Sequence, residues 1–356
     1  MTLPKCNNLM KGNIMSNYDI EQTCQKIEKD FYNSKPFKKR AFLSAIKSVS
    51  LFLKLYEHNT PNAETRAKIL RLCYMYFREI DDLIDGDKAL PNSSNNYNEN
   101  KKIITEYMQV RRNYLANGCT SSNPNELDEI IKVIMDLSAS LGLDLKDDSI
   151  KLLDCMLFDL NRKSDLQNGQ IVLSTNAEID KYFFRYYYDS CIKIAVLLTT
   201  SNPKDISNKN ISDLGYAQRT YFDLEDFLED LSFGIINIPS EDVCKLKINE
   251  NSLIKLARLP KNMINLCKHN GFNHPSVSKV IDDPIMIWLN QQLDFGSQHL
   301  DSYQKNAPLR TPFSVAKELL FQRKDFSDIV LKLGIERGTN NYLDKLNKQR
   351  EKNVSL

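Results

Sequence analysis

The chain has 356 residues, 42% hydrophobic and 26% charged, enough to bury a deep core in one large domain. Its 48 Lys and Arg nearly balance its 46 Asp and Glu, so the net charge of +2 provides no field for nucleic acid or an acidic membrane. Only 11 glycines and 12 prolines argue against a glycine-rich nucleotide fold or a many-turned barrel, and favour long helices. The 8 cysteines form no CxxC pair and mostly sit in apolar stretches such as LLDCMLF, as small core hydrophobes of a reducing compartment do. The 4 histidines show no zinc-ligand spacing. With no apolar run of signal-peptide length and none of about 18 residues, the expectation is a soluble, cytoplasmic protein without a transmembrane anchor.

In chain order, residues 1–15 read as a flexible segment, 16–340 as a single all-α domain and 341–356 as a polar tail. Helical patterns cover 39–57, 63–85, 102–115, 125–142, 148–163, 177–199, 212–232, 252–268, 276–304 and 313–322. The clearest runs from 63 to 85, where Ile69, Cys73, Phe77, Ile80 and Ile84 form one apolar stripe. Asn/Ser-rich stretches at 91–100, 117–126 and 201–210 read as loops. FGIINIP at 233–239 reads as a short extended link ending at Pro239, and no stretch alternates as a strand does. A helical bundle follows.

Two segments break the rule that a helix's core face is apolar. In YMYFREIDDLIDGD (74–87), Asp81 and Asp85 lie about 40° apart and Arg78 about 20° from Asp85. In RTYFDLEDFLEDLSFG (219–234), Asp226 and Asp230 are again one turn apart, and Asp223 falls within about 60° of both. Acidic runs usually mark a solvated face. Here Tyr74, Phe77, Ile80, Leu83 and Ile84 flank one set, and Tyr221, Phe222, Leu224, Phe227 and Leu228 the other. Helices apolar on several sides are buried, and buried carboxylates need cations.

Two such helices facing across a core form an oxygen-only site suited to Mg²⁺, which keeps waters and takes a few carboxylates with substrate phosphates. Mg²⁺ on a diphosphate stabilises pyrophosphate as a leaving group, and arginine forks clamp its oxygens. Aromatic faces stabilise the allylic cation left behind. The parts point to prenyl chemistry.

These residues resemble the squalene/phytoene synthase family, the head-to-head trans-prenyl transferases. Arg78, Asp81, Asp82 and Asp85 fall on its first aspartate-rich motif, and Asp226, Glu229, Asp230, Gly234 and Pro239 match its second. KSVSL at 47–51 is similar to its short Ser-x-Ser-Phe diphosphate element, giving Ser48 and Ser50, with Leu51 in place of Phe. The resemblance runs from about residue 40 to 335. It implies an isoprenoid-synthase-like bundle with a central apolar cavity, joining two prenyl diphosphates, farnesyl or geranylgeranyl in type, to a squalene- or phytoene-like product or its diphosphate or hydroxylated intermediate. It implies roughly two or three Mg²⁺ ions on Asp81, Asp226 and Asp230, with Asp85 in support and Asp82 and Asp223 as further carboxylates. Tyr74 and Arg78 would face the diphosphate. NADPH is possible but not indicated; no dinucleotide fingerprint is present, and since reduction in the family needs no such fold that absence decides nothing. Apolar products imply transient, peripheral membrane contact.

The second motif departs from the family upstream. Phe222 stands where the family has a metal-binding Asn, Arg219 where it has Gln, and Glu225 where it often has Arg. Asp223 could supply the missing oxygen, and Arg219 the missing positive charge, facing the diphosphate. FFRYYYDSCIKIAVLL (183–198) replaces the family's small-residue turn, and its tyrosines could shorten a tunnel. Asp154 and Asp159 lie on a helix that would approach the site. The altered motif leaves two alternatives open: a class I terpene cyclase using one diphosphate, or an inactive paralogue serving binding or assembly.

Overall fold

The computed structural model describes residues 17–34, 62–90, 92–94, 97–117, 125–166, 168–199, 208–264, 281 and 283–306. Ser48, Ser50 and the expected helices at 39–57 and 313–322 lie outside the described residues. Among those described, all regular structure is helical and there is no strand. The helices are α1 (Asn17–Ser34), α2 (Ala63–Asp85), α3 (Tyr97–Asn117), α4 (Glu126–Ser140) and α5 (Lys146–Arg162). A π-helix (Ile179–Asp189) runs directly into α6 (Ser190–Thr199), followed by α7 (Asn208–Ser232), α8 (Ser240–Leu246), α9 (Glu250–Ala257) and α10 (Asp283–Asn306).

Two apolar clusters build the core, each around one acidic helix. α2 buries Ile69, Leu72, Met75, Tyr76 and Ile80 completely and packs against α4, α5 and α6. Truncating any of these aliphatic side chains to alanine costs about 2–5 kcal/mol. α7 buries Leu224, Phe227 and Leu231 against α10, α9 and the π-helix. Trp288 of α10 packs on Phe227 at 6.0 Å between centroids. Between the clusters, α5 and the π-helix contact each other and join the halves.

Three local expectations are corrected. α1 was not foreseen, although Cys24, Ile27 and Phe31 form its buried stripe. The expected helix at 252–268 begins earlier, at Glu250, and is interrupted after Ala257. The expected continuous helix at 177–199 is a turn capped by Thr175, then the π-helix, then α6. Each π-helical residue turns through a smaller angle than an α-helical one, so the neighbours Phe183 and Phe184 are both buried. Cys24, Cys73 and Cys155 are buried thiols as expected, whereas Cys191 and Cys244 are exposed.

One glycine has a steric task. Gly234, just past α7, takes φ +82° and accepts a hydrogen bond from the Ser164 N–H at 2.8 Å. A Cβ there would lie 2.2 Å from the Ser164 carbonyl oxygen. Gly234→Ala is therefore expected to cost about 2–4 kcal/mol in urea unfolding, from left-handed strain plus a backbone clash. A loss under about 0.5 kcal/mol would show the two segments to be loosely joined.

Candidate active site

The first acidic segment occupies the end of α2, which stops at Gly86 with φ +81°. Arg78 organises it: Nη1 donates to Asp81 Oδ2 at 2.5 Å, and Nε stands 3.0 Å from Asp82 Oδ1. Asp82 is buried at 2% exposure. Tyr74, one turn before Arg78, packs edge-on to Phe31 of α1 at 6.0 Å. Burial pushes its phenol up, with Arg78 opposing and the Asp82 and Asp81 charges adding. Asp85 is pushed up to about 8, by burial first and then by Asp81; Asp230 adds to this, while Arg78 and Lys163 oppose it. Lys163 follows α5 and donates to the Ile84 carbonyl at 3.1 Å, which ties it to the end of α2.

The second segment places Asp223, Asp226 and Asp230 on successive turns of α7. Asp223 is 8% exposed, with its Oδ1 at 3.1 Å from Arg219 Nε. The Arg219 guanidinium also lies over the Phe183 ring, its Cζ 3.1 Å from the ring centroid. Burial pushes Asp223 up to about 7; Arg219 and Arg162 oppose it, and Asp159 and Asp226 add to it. Asp230 is raised well above the ordinary carboxylate range, by burial first, with Asp223 and Asp226 adding and Arg219 and Arg162 opposing.

A buried relay positions Asp230. The amide of Asn237 donates to Asp230 Oδ2 at 2.8 Å, and Arg162 Nη2 donates to Asn237 Oδ1 at 2.7 Å. Arg162 also donates to the Ile236 carbonyl at 2.9 Å and to Asp159 Oδ1 at 2.7 Å. Sequence reasoning missed Arg162, Asn237 and Lys163. For Arg162 a signal was present, since it lies three residues after Asp159 at the end of an apolar helix.

The fold thus brings Asp85 and Asp230 within electrostatic reach from helices that belong to different core clusters. Other positions lie elsewhere. Asp154 pairs with Arg112 at 2.6 Å. Phe222 packs against the α7 core cluster, edge-on to Tyr221 at 5.6 Å. The side chains of Glu225, Tyr187 and Tyr188 lie outside the described residues.

Among the described residues, no three Asp, Glu, His or Cys side chains form a ready-made metal cluster. The donor chemistry still fits a hydrated hard cation: all donors are oxygens, and burial with mutual repulsion raises Asp85 and Asp230 despite nearby cationic side chains. Beside Asp223 and Asn237 opens a cavity of about 410 Å³, with Trp288 and Phe295 in its wall. A second, of about 430 Å³, lies at Lys163, Ser164 and Phe233.

No protein-family model and no curated protein matches the chain. Among solved structures, it is similar to a crystal structure of a dehydrosqualene synthase in complex with ligand. The two are 18% identical with a TM-score of 0.46, over 91% of this chain and 99% of the other.

Proposed function

We propose that the chain is a Mg²⁺-dependent prenyl transferase that condenses two allylic prenyl diphosphates of farnesyl type, head to head, to a squalene- or phytoene-like product or its diphosphate or hydroxylated intermediate. The observation that carries this reading is that Asp85 and Asp230, from two acidic segments each backed by a guanidinium, lie within electrostatic reach of each other.

Asp81, Asp85, Asp226 and Asp230 would hold the metal, with Asp223 and Asp82 as adjoining carboxylates. Bound Mg²⁺ supplies Lewis-acid neutralisation of the departing pyrophosphate. Arg78 orients Asp81 and Asp82 and carries the guanidinium charge of the first segment, at the end of α2. Tyr74 borders the same group of charges. Arg162 and Asn237 set the orientation of the Asp230 carboxylate. Arg219 lends its charge to Asp223 while its ring contact keeps it in place. Phe183 and Phe184 add buried aromatic surface that excludes water from a reactive cation. None of these roles involves a nicotinamide reductant. No described helix is long and apolar enough to cross a membrane, and product release is assigned to transient contact with a membrane surface.

One observation favours a second reading, ionisation of a single diphosphate as in a class I terpene cyclase. Phe222, at the position where the resembled motif has a metal ligand, is a partly buried ring packed against the apolar core. Incubating the protein with farnesyl diphosphate and Mg²⁺ and weighing the products separates the two. A thirty-carbon product is expected. Products limited to fifteen carbons would replace condensation with cyclisation or hydrolysis.

A further inference from the structure

The 410 Å³ cavity between the π-helix, α7, α8 and α10 has a chemistry of its own. Four aromatic residues line it: Phe184, Tyr216, Trp288 and Phe295. Three aspartates line it too, and none of the described residues in its wall is Lys, Arg or His. Two of those carboxylates are matched by guanidinium groups: Asp180 meets Arg185 at 2.8 Å, and Asp223 meets Arg219 at 3.1 Å. The third differs. Asp242 accepts from the indole Nε1 of Trp288 at 3.2 Å, a neutral donor, and no described cation pairs with it.

A half-buried carboxylate held by an indole, offset only by the partial charge of the first turn of α8, thus keeps much of its negative charge beside ring faces that also attract cations. A hard divalent ion is poorly served here, because it asks for several oxygens where the walls offer aromatic carbon. An alkylammonium ion is well served, needing one carboxylate for its charge and ring faces for its polarised methyl or methylene groups. The volume admits such an ion with a short tail, falling within the size range of small-molecule sites.

We propose that this cavity binds a small alkylammonium ion, its charge held by Asp242 and its alkyl groups set against Trp288 and Phe295. The cavity shares Phe184 and Asp223 with the transferase reading, but binding at Asp242 uses neither and needs no prenyl chemistry. It also borders Asn237, which holds Asp230, so an occupant touches the support of the second acidic segment.

Trp288 is the chain's 1 tryptophan, so emission under tryptophan-selective excitation comes from a residue of this cavity's wall. The full chain, with EDTA present, is titrated with choline and with its neutral isostere 3,3-dimethylbutan-1-ol. Isothermal titration calorimetry is run in parallel, so that a silent tryptophan is not mistaken for absence of binding. The expected result is saturable choline binding that changes Trp288 emission, at least about fivefold tighter than the alcohol. Asp242→Asn, which keeps an acceptor for the indole, is expected to weaken choline binding by a similar factor without changing the circular dichroism spectrum. Equal affinity for choline and the alcohol would overturn the proposal, and so would unchanged choline affinity in Asp242→Asn. Absence of saturable choline binding by both methods would overturn it as well.

Discussion

Asp85→Asn and Asp230→Asn should each make the metal-free protein more stable, while removing its response to Mg²⁺ with inorganic pyrophosphate. Burial and Asp81 lift Asp85 from 3.8 to about 8, so its ionised form is disfavoured in the fold relative to the unfolded chain. A raised carboxyl weakens the fold progressively as pH climbs from the ordinary carboxylate range towards about 8. Asparagine cannot ionise, so its advantage over Asp85 grows across that window and is lost in acid. Linkage over the span from 3.8 to pH 7 sets a ceiling of about 4 kcal/mol on the gain, or about 8 °C in melting temperature. In the wild type, Mg²⁺ with pyrophosphate should raise the melting temperature by mass action, and in the variants it should not. Thermal unfolding with and without the two ligands measures both effects. Variants that are destabilised yet still respond to Mg²⁺ would mean that these carboxylates serve structure rather than metal.

The largest loss is expected at Arg162. Arg162 is 4% exposed, and its side chain satisfies Asp159, the Ile236 carbonyl and Asn237 together. Arg162→Met leaves the Ile236 carbonyl and Asn237 buried without their donor and Asp159 without its partner, which costs about 3–5 kcal/mol and lowers the melting temperature by roughly 6–10 °C. The damage should reach the chemistry through Asn237, which fixes Asp230. A misaligned metal carboxylate lowers turnover by about tenfold or more even in the folded fraction. Asn237→Leu keeps Arg162 but removes the link to Asp230, so it should lose turnover with a smaller stability loss. Urea unfolding and product formation, measured on both variants, check this. Full activity in Asn237→Leu would show that Asp230 needs no such support.

The bundle was legible because its helices repeat apolar residues at three- and four-residue steps, as Ile69, Cys73 and Ile80 do in α2. The acidic residues were legible because carboxylates one turn apart amid apolar side chains have no simple structural purpose. The π-helix was not, since a 3.6-residue template assigns FFRYYY to an ordinary helix and the wider turn is set by packing. α1 was missed because its buried stripe is thin among Glu, Gln and Lys. The relay from Arg162 through Asn237 to Asp230 joins residues far apart in sequence, so no spacing rule could disclose it. Arg219 was expected to face a diphosphate; its place between Asp223 and the Phe183 ring depends on how the π-helix meets α7.

The most direct test of the central claim is pyrophosphate release from farnesyl diphosphate, measured with and without Mg²⁺. It should be run on the wild type and on Asp81→Asn and Asp226→Asn, one variant in each acidic segment. The account predicts Mg²⁺-dependent release in the wild type and a loss of at least about a hundredfold in both variants. Release that persists in either variant, or that is absent from the wild type, would contradict a shared metal and diphosphate site between α2 and α7.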